Sequence, residues 1–377
     1  MKKLLFIFFL FLLASQPAFA QDMEITAEAE NIEPKTISES HYEKAEILAI
    51  HQVQLEDESV LQELKVKILS GEFKNQTVSL TNTIENNPYA MDLEQGDKIV
   101  LYVEQMSDGT INHYVHDYYR LGKIIVIILI FFALLIIFGG FQGLKTVISL
   151  LLGILFILKF LLPGILKGTS PIFLTIIFCS VITVITFLLI SGWNKKAASS
   201  ILGTIFGLIV SVILALIFGK MTILTGFGHE ETRTLFAKFP NLNFNGLFYS
   251  AIMIGAIGAV MDVAMSISSS INEIKKANPK LNSKELFKSG VRIGKDIIGT
   301  MSNTLIYAYV GASLGLLLLF SSFGESYLKI FNFEFMAEEI IRSIAGSIGL
   351  IGAIPLTAMF AAWFETRSKK SKQLKFK

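Results

Sequence analysis

Seven long apolar runs follow one another in the C-terminal part of the chain, and they restrict the possible folds more than any other feature. Each is long enough to cross the roughly 30 Å hydrocarbon core of a bilayer, which takes about 20 helical residues. None of them alternates as a strand does, and lipid accepts only helices or closed barrels. We therefore predict a polytopic α-helical bundle of seven transmembrane helices, centred on 123–139, 146–163, 171–192, 199–218, 247–270, 296–320 and 339–363.

The composition agrees with this prediction. The chain is 52% hydrophobic and 17% charged, against about 25% charged residues in soluble domains. A single cysteine, Cys179, excludes an intrachain disulfide and a cysteine-based metal cluster. The H-E-x-x-H, P-loop and dinucleotide signatures are missing from the sequence. We therefore predict neither an enzyme of soluble type nor a cofactor, a metal or a nucleic-acid partner.

The first residues have the layout of a secretory signal peptide. Two lysines precede a short apolar run that ends in Ala18-Phe19-Ala20, so residues 1–20 are predicted to be removed, with an uncleaved anchor as the alternative. Residues 21–120 should then be exported. The stretches ELKVKIL, TVSLT and KIVLYVE predict strands, and Asp108-Gly109 predicts a hairpin. We expect a small β-barrel or sandwich, OB-like, after an acidic, loose lead-in of about 30 residues.

Charge predicts the orientation of the bundle. With the β-rich segment outside, the cytoplasmic loops and tail hold sixteen Lys and Arg residues and the external loops hold five. This bias satisfies the positive-inside rule. Residues 121–365 would form the transmembrane domain and 366–377 a basic cytoplasmic tail.

The fifth predicted span carries an aspartate, Asp262, where lipid is expected. Helical spacing places it on one face with small and hydroxyl residues, and the sixth span carries a similar stripe. The two spans run antiparallel, so the stripes should meet in one polar pocket. The predicted pocket comprises Asp262, Ser266, Ser269, Asp296, Thr300, Asn303 and Tyr307.

An ionisable group inside a membrane generally marks a proton relay, an ion site or a substrate site. Carboxylate, hydroxyl and amide oxygens suit a proton or a hard cation. The alternative is that Asp262 is protonated and only hydrogen-bonds a neighbouring helix. Small residues beside the stripes predict close helix packing, at Gly255, Gly258, Gly311 and Gly315.

Two histidine-containing segments are weaker candidates. His229, Glu230 and Glu231 lie on a predicted external loop and would form a cation site or gate; the alternative is an exposed loop of mixed charge. His113, His116 and Asp117 close the β-rich segment, but a metal site there lacks further ligands.

The fifth and sixth spans also carry a family resemblance. The stretches GAIGAVMDVAMSISSSINEI and KSGVRIGKDIIGTMSNTLIYAYVGASL resemble the YibE/F-like family of bacterial membrane proteins. The resemblance covers roughly Glu43 to Phe364 and is strongest at 255–315. It implies a multi-pass protein of the bacterial inner membrane and supplies no catalytic residue.

These observations lead to two functional hypotheses. The first is a transporter or permease-like protein, coupled to a proton or cation through Asp262. The second is a non-transporting envelope protein whose exported β domain binds a partner while the bundle anchors it or signals. The expected partners are the lipid bilayer and either a second similar membrane protein or another copy of the chain.

Overall fold

The computed structural model describes residues 37–54, 59–84 and 89–373, with side chains placed from 39 to 367 within those ranges. The predicted signal peptide, residues 1–20, lies outside them. The chain divides into two compact units, Met1–Val126 and Ile127–Lys377. Each unit has its own hydrophobic core.

The first unit is an antiparallel half-barrel. Its sheet has the order β3-β2-β1-β4-β5, in which β1 pairs with both β2 and β4. The predicted small antiparallel β domain is thus confirmed as a half-barrel. The strands are β1 (Ile37–Gln54), β2 (Val60–Ile68), β3 (Thr77–Ile84), β4 (Lys98–Met106) and β5 (Ile111–Tyr118).

The central strand β1 lies where we expected a loose lead-in, and that prediction is wrong for residues 37–54. Its inward positions include Glu43, Ala45 and Ile47, all buried. One is charged and one is small, so the alternation is weak in sequence. The strand forms because both of its edges find partners, which a local pattern does not reveal.

The predicted hairpin at Asp108-Gly109 is confirmed. Gly109 has a φ of 84°, a conformation that favours glycine. The Thr110 amide donates to the Asp108 side chain at 2.9 Å, and the Met106 amide donates to the Thr110 carbonyl at 2.8 Å. The turn therefore sets the register of β4 against β5.

The second unit is helical. The elements are α1 (Leu121–Phe156), a π-helical turn (Ile157–Leu161), α2 (Leu162–Leu166), α3 (Pro171–Ser191), α4 (Lys195–Met221), α5 (Glu230–Lys238), α6 (Phe244–Ala277), α7 (Ser283–Ala312), α8 (Leu314–Ser322), α9 (Tyr327–Asn332) and α10 (Glu334–Gln373). Five described helices are long and apolar enough to cross a membrane, with Leu121–Leu166 counted as one. The number is six if α7 and α8, which meet at a 58° bend, form one span.

Helix α1 is broken at Gly140, where φ is 55° and ψ is −133°. A side chain on Gly143 would overlap the carbonyl of Leu135. In a straight helix these positions lie about 12 Å apart along the axis, so the chain bends back sharply. The candidate span Leu121–Leu166 thus bends back at Gly140, between the first two spans predicted from the sequence.

Helix α10 is the centre of the bundle and packs against α4, α6 and α7. Two glycines of α4 lie against α10. A side chain on Gly203 would overlap Thr357, and one on Gly207 would overlap Ala353. Without large side chains, α4 and α10 approach closely enough for dispersion contacts along their length.

Candidate functional site

The polar stripe of α6 is exposed in a single copy of the chain. Asp262 and Ser266 both lie on the exposed side of the helix, and Ser269 is half-buried. Asp262 is near the middle of Phe244–Ala277, one of the candidate spans. The described structure gives its carboxyl group no hydrogen bond and no ion pair, so an ionisable group stands uncovered at mid-helix.

The polar stripe of α7 is exposed as well. Asp296, Thr300, Asn303 and Tyr307 all lie on the outer surface of the unit, and Tyr307 is 71% exposed. The Thr300 hydroxyl donates to the Ile297 carbonyl of its own helix at 3.0 Å. Asn303 and Tyr307 have no hydrogen-bond partner among the described side chains.

The two stripes do not converge within one copy. A side chain on Gly255 would meet the Tyr309 hydroxyl, whereas one on Gly290 would meet Ile271, so α6 and α7 are antiparallel and Asp262 is level with the turn around Thr300. At 100° per residue, however, Thr300 and Asn303 lie on the opposite side of α7 from Tyr309. The pocket of seven residues therefore stays a prediction that a single copy does not close.

Of the four predicted packing glycines, one packs against a neighbouring helix and three do not. Gly255 faces Tyr309, but an ideal Cβ at Gly258, Gly311 or Gly315 has no atom within 4 Å. Next to the predicted Ser269 on α6, Ser268 is buried. It donates to the Lys196 carbonyl at 2.9 Å and lies against the hydroxyl of Ser199. Here serine joins two helices rather than lining a site.

A second polar cluster lies at the N-terminal end of α10. The Glu334 carboxylate accepts hydrogen bonds from the Thr225 amide and hydroxyl, both at 2.6 Å, and from the Gly226 amide at 3.1 Å. Glu338 is 1% exposed and accepts from the Gly228 amide at 3.1 Å. Carboxylates in the first turns also interact favourably with the helix dipole. The cluster ties the loop before α5 to the start of α10.

His229 belongs to this cluster. Its Nε2 lies 3.5 Å from Glu339 and 3.7 Å from Glu338, and its ring centroid is 4.5 Å from that of Phe335. Arg342 lies 3.3 Å from Glu339. The arrangement brings two buried carboxylates together with one arginine and one imidazole, so acidic and basic side chains face each other at this end of α10.

The sequence indicated His229 but not its partners. Glu230 and Glu231, which we predicted beside it, lie exposed on α5 and do not contact it. The partners Glu338 and Glu339 are about 110 residues away in the chain. Their signal in the sequence is an acidic pair in the N-terminal part of an otherwise apolar helix.

In the β-rich unit, His113 lies near a buried carboxylate. Glu43 is 1% exposed, and the Phe73 amide donates to its Oε1 at 3.3 Å. His41 lies 3.4 Å from the same oxygen. Burial lowers the pKa of His113, an effect that Glu43 opposes and His41 reinforces.

The other two residues of that segment lie elsewhere. His116 contacts the ring of Tyr42 with centroids 4.9 Å apart, and Asp117 accepts from Arg120 at 2.5 Å. The Arg120 side chain holds the pKa of Asp117 below its usual range. Among the described residues, no group of three or more His, Cys, Asp or Glu side chains is arranged to hold a metal ion.

Both units match models of one protein family. Residues 127–367 match the model described as YibE/F-like protein, and residues 38–118 match the YibE/F family N-terminal domain. No curated protein and no solved structure matches the chain significantly. The family models cover most of the sequence and both compact units, and so this membrane protein belongs to the YibE/F-like family.

Proposed function

We propose that the chain is a permease-like protein of a bacterial inner membrane and moves a proton or a hard cation through a pathway that includes Asp262. The observation that carries the proposal is a carboxyl group near the middle of a candidate spanning helix. Such a group is expensive in lipid, by about 2.5–3.5 kcal/mol on insertion scales, and is retained mainly where it works. The polar stripe of α7 offers hydroxyl and amide oxygens, which suit the same proton or hard cation.

The proposal includes the finer topology. The fold at Gly140 divides Leu121–Leu166 into two segments, and the bent pair α7 and α8 supplies one more span. Counted in this way the bundle has seven spans. The OB-like β domain then lies outside, the basic tail lies in the cytoplasm, and the signal peptide directs export.

In this topology the cluster of His229, Glu338 and Glu339 lies at the outer end of the bundle. It takes over the role that we first gave to His229 with Glu230 and Glu231. In that role the contacts of His229 with Glu338 and Glu339 would hold the loop before α5 against α10 at the entrance.

The test is a flux measurement in proteoliposomes loaded with the pH dye pyranine and driven by a pH or cation gradient. We expect the wild-type protein to dissipate the gradient and Asp262→Asn to reduce the rate at least about tenfold, because the neutral amide no longer exchanges a proton. Glu273→Gln, an exposed carboxylate on the same helix paired with Lys276, is the matched control. No wild-type flux for protons, Na⁺, K⁺ or Mg²⁺, or full flux in Asp262→Asn, would refute the proposal.

One observation favours the rival function. Tyr42 is 60% exposed on the outer surface of the half-barrel and lies 5.3 Å from the ring of Tyr102. His116 completes this exposed aromatic group. Aromatic side chains of this kind are enriched at binding surfaces. A partner-binding envelope protein would keep its partner in Asp262→Asn and lose it in Tyr42→Ala.

A further inference from the structure

The outward face of α7 is polar and uncovered. We define it by Gly299, Thr300, Asn303, Tyr307 and Gly311, all of which lie on the exposed side of the helix. Within the described chain the Asn303 amide and the Tyr307 hydroxyl have no hydrogen-bond partner. In a spanning helix this is costly, because lipid offers no donor or acceptor. The face therefore needs a protein surface against it.

The outward face is also shaped for a close neighbour. An ideal Cβ at Gly299 or Gly311 meets no atom within 4 Å, and these glycines lie on either side of Asn303. Small residues let the backbones of two membrane helices approach, and polar side chains then form hydrogen bonds across the contact. A face of glycine, threonine and asparagine has both properties.

The chemistry of the face favours a second copy of the chain as its partner. No Asp, Glu, Lys or Arg occurs from Ile297 to Gly311. The exposed Arg292 and Asp296 that precede this stretch on the same side of the helix have opposite charges, so two copies can pair them across the contact. Amide and hydroxyl groups donate as well as accept, so the same surface can pair with itself. Two copies inserted in the same orientation also bring identical residues to the same depth, as a two-fold contact requires.

We infer that the chain dimerises in the membrane through the outward face of α7, with Asn303 of each copy near the two-fold axis. The inference concerns assembly and does not depend on any transport activity. It also assigns the glycines of the outward face to contacts between two copies rather than within one copy.

Cross-linking in native membranes tests it. Cys179 is the single cysteine of the chain and is 2% exposed, so Cys179→Ala supplies a cysteine-free background. Gly299→Cys is then introduced, together with a matched control, Ile213→Cys, at an apolar position of α4 that is 50% exposed. After treatment with a short bis-maleimide, we expect at least about tenfold more linked dimer from Gly299→Cys than from Ile213→Cys.

Further variants test whether the yield depends on Asn303 and not only on the position of the introduced cysteine. Adding Asn303→Leu to Gly299→Cys should lower the dimer yield about tenfold, and Asn303→Gln should restore most of it, because glutamine keeps both hydrogen-bonding groups. Ile306→Leu, at an exposed apolar position nearby, should change nothing. Equal yields from Gly299→Cys and Ile213→Cys, or linkage of Gly299→Cys only to a different protein, would overturn the inference.

Discussion

The helical unit carries two glycine surfaces with the same spacing and opposite surroundings. On α4, Gly203 and Gly207 lie directly beneath α10, where any side chain would overlap Thr357 or Ala353. Gly311 and Gly315 are also four residues apart in sequence, on either side of the bend between α7 and α8, and they meet no atom within 4 Å. The spacing therefore shows where a helix can be approached closely. It does not show whether the approaching helix comes from the same chain.

Their polar groups differ in the same way. Beside the closed surface, the Ser211 hydroxyl donates to the Ala345 carbonyl of α10 at 3.0 Å. Beside the open surface, Asn303 finds no partner in the described chain. Most buried polar groups in an interface are hydrogen-bonded, although the hydroxyls of Thr204 and Thr357 in the closed surface have no partner. The open surface has the composition of an interface without its neighbour.

The largest effect should come from filling the closed surface. Gly207→Leu forces a side chain into the backbone of α10 and should cost about 3 kcal/mol in the free energy of unfolding, the upper end of overpacking costs. The same change at Gly258, which meets no atom within 4 Å, should leave Tm in detergent nearly unchanged. A similar Tm for both variants would remove the distinction between closed and open surfaces.

A smaller effect is expected where covered carboxylates tie α10 to the loop before α5. Glu338→Ala removes the acceptor of the Gly228 amide and should cost about 1–2 kcal/mol, because that buried donor loses its partner. Hydrogen exchange of residues 224–229 should accelerate. Glu325→Ala, which breaks only the surface pair with Lys329, is the control and should leave that loop protected.

The smallest effect on stability is expected in the half-barrel, where the His113 side chain is partly buried. Burial lowers its pKa, so the folded state binds a proton less readily than the unfolded state. Stability should therefore fall as the pH drops through the unfolded value of about 6.5. Pulse proteolysis of the intact protein at pH 7.5 and 5.5, followed within residues 37–118, measures this loss.

His113→Gln should reduce that dependence on pH. His51→Gln, at an exposed position of β1, should retain it. An unchanged slope in His113→Gln would contradict the prediction.

Local patterns predicted the strands β2, β3 and β4 and the turn at Gly109, because alternation and turn chemistry act between near neighbours. They did not predict β1, whose inward positions include Glu43. They also found His229 without Glu338 and Glu339, since nothing in a local window joins residues about 110 positions apart. The stripe around Asp262 was visible in the sequence, but its surroundings were not.

A β-rich segment followed by apolar helices could be predicted from the amino-acid sequence, because hydropathy and periodicity depend on residues close together in the chain. Which faces of those helices are covered could be seen only in the folded structure. Packing α10 between α4, α6 and α7 closes the surface at Gly207 and leaves the stripes at Asp262 and Asn303 open. Burial depends on neighbours that are distant in sequence, and a residue's type and spacing do not specify them.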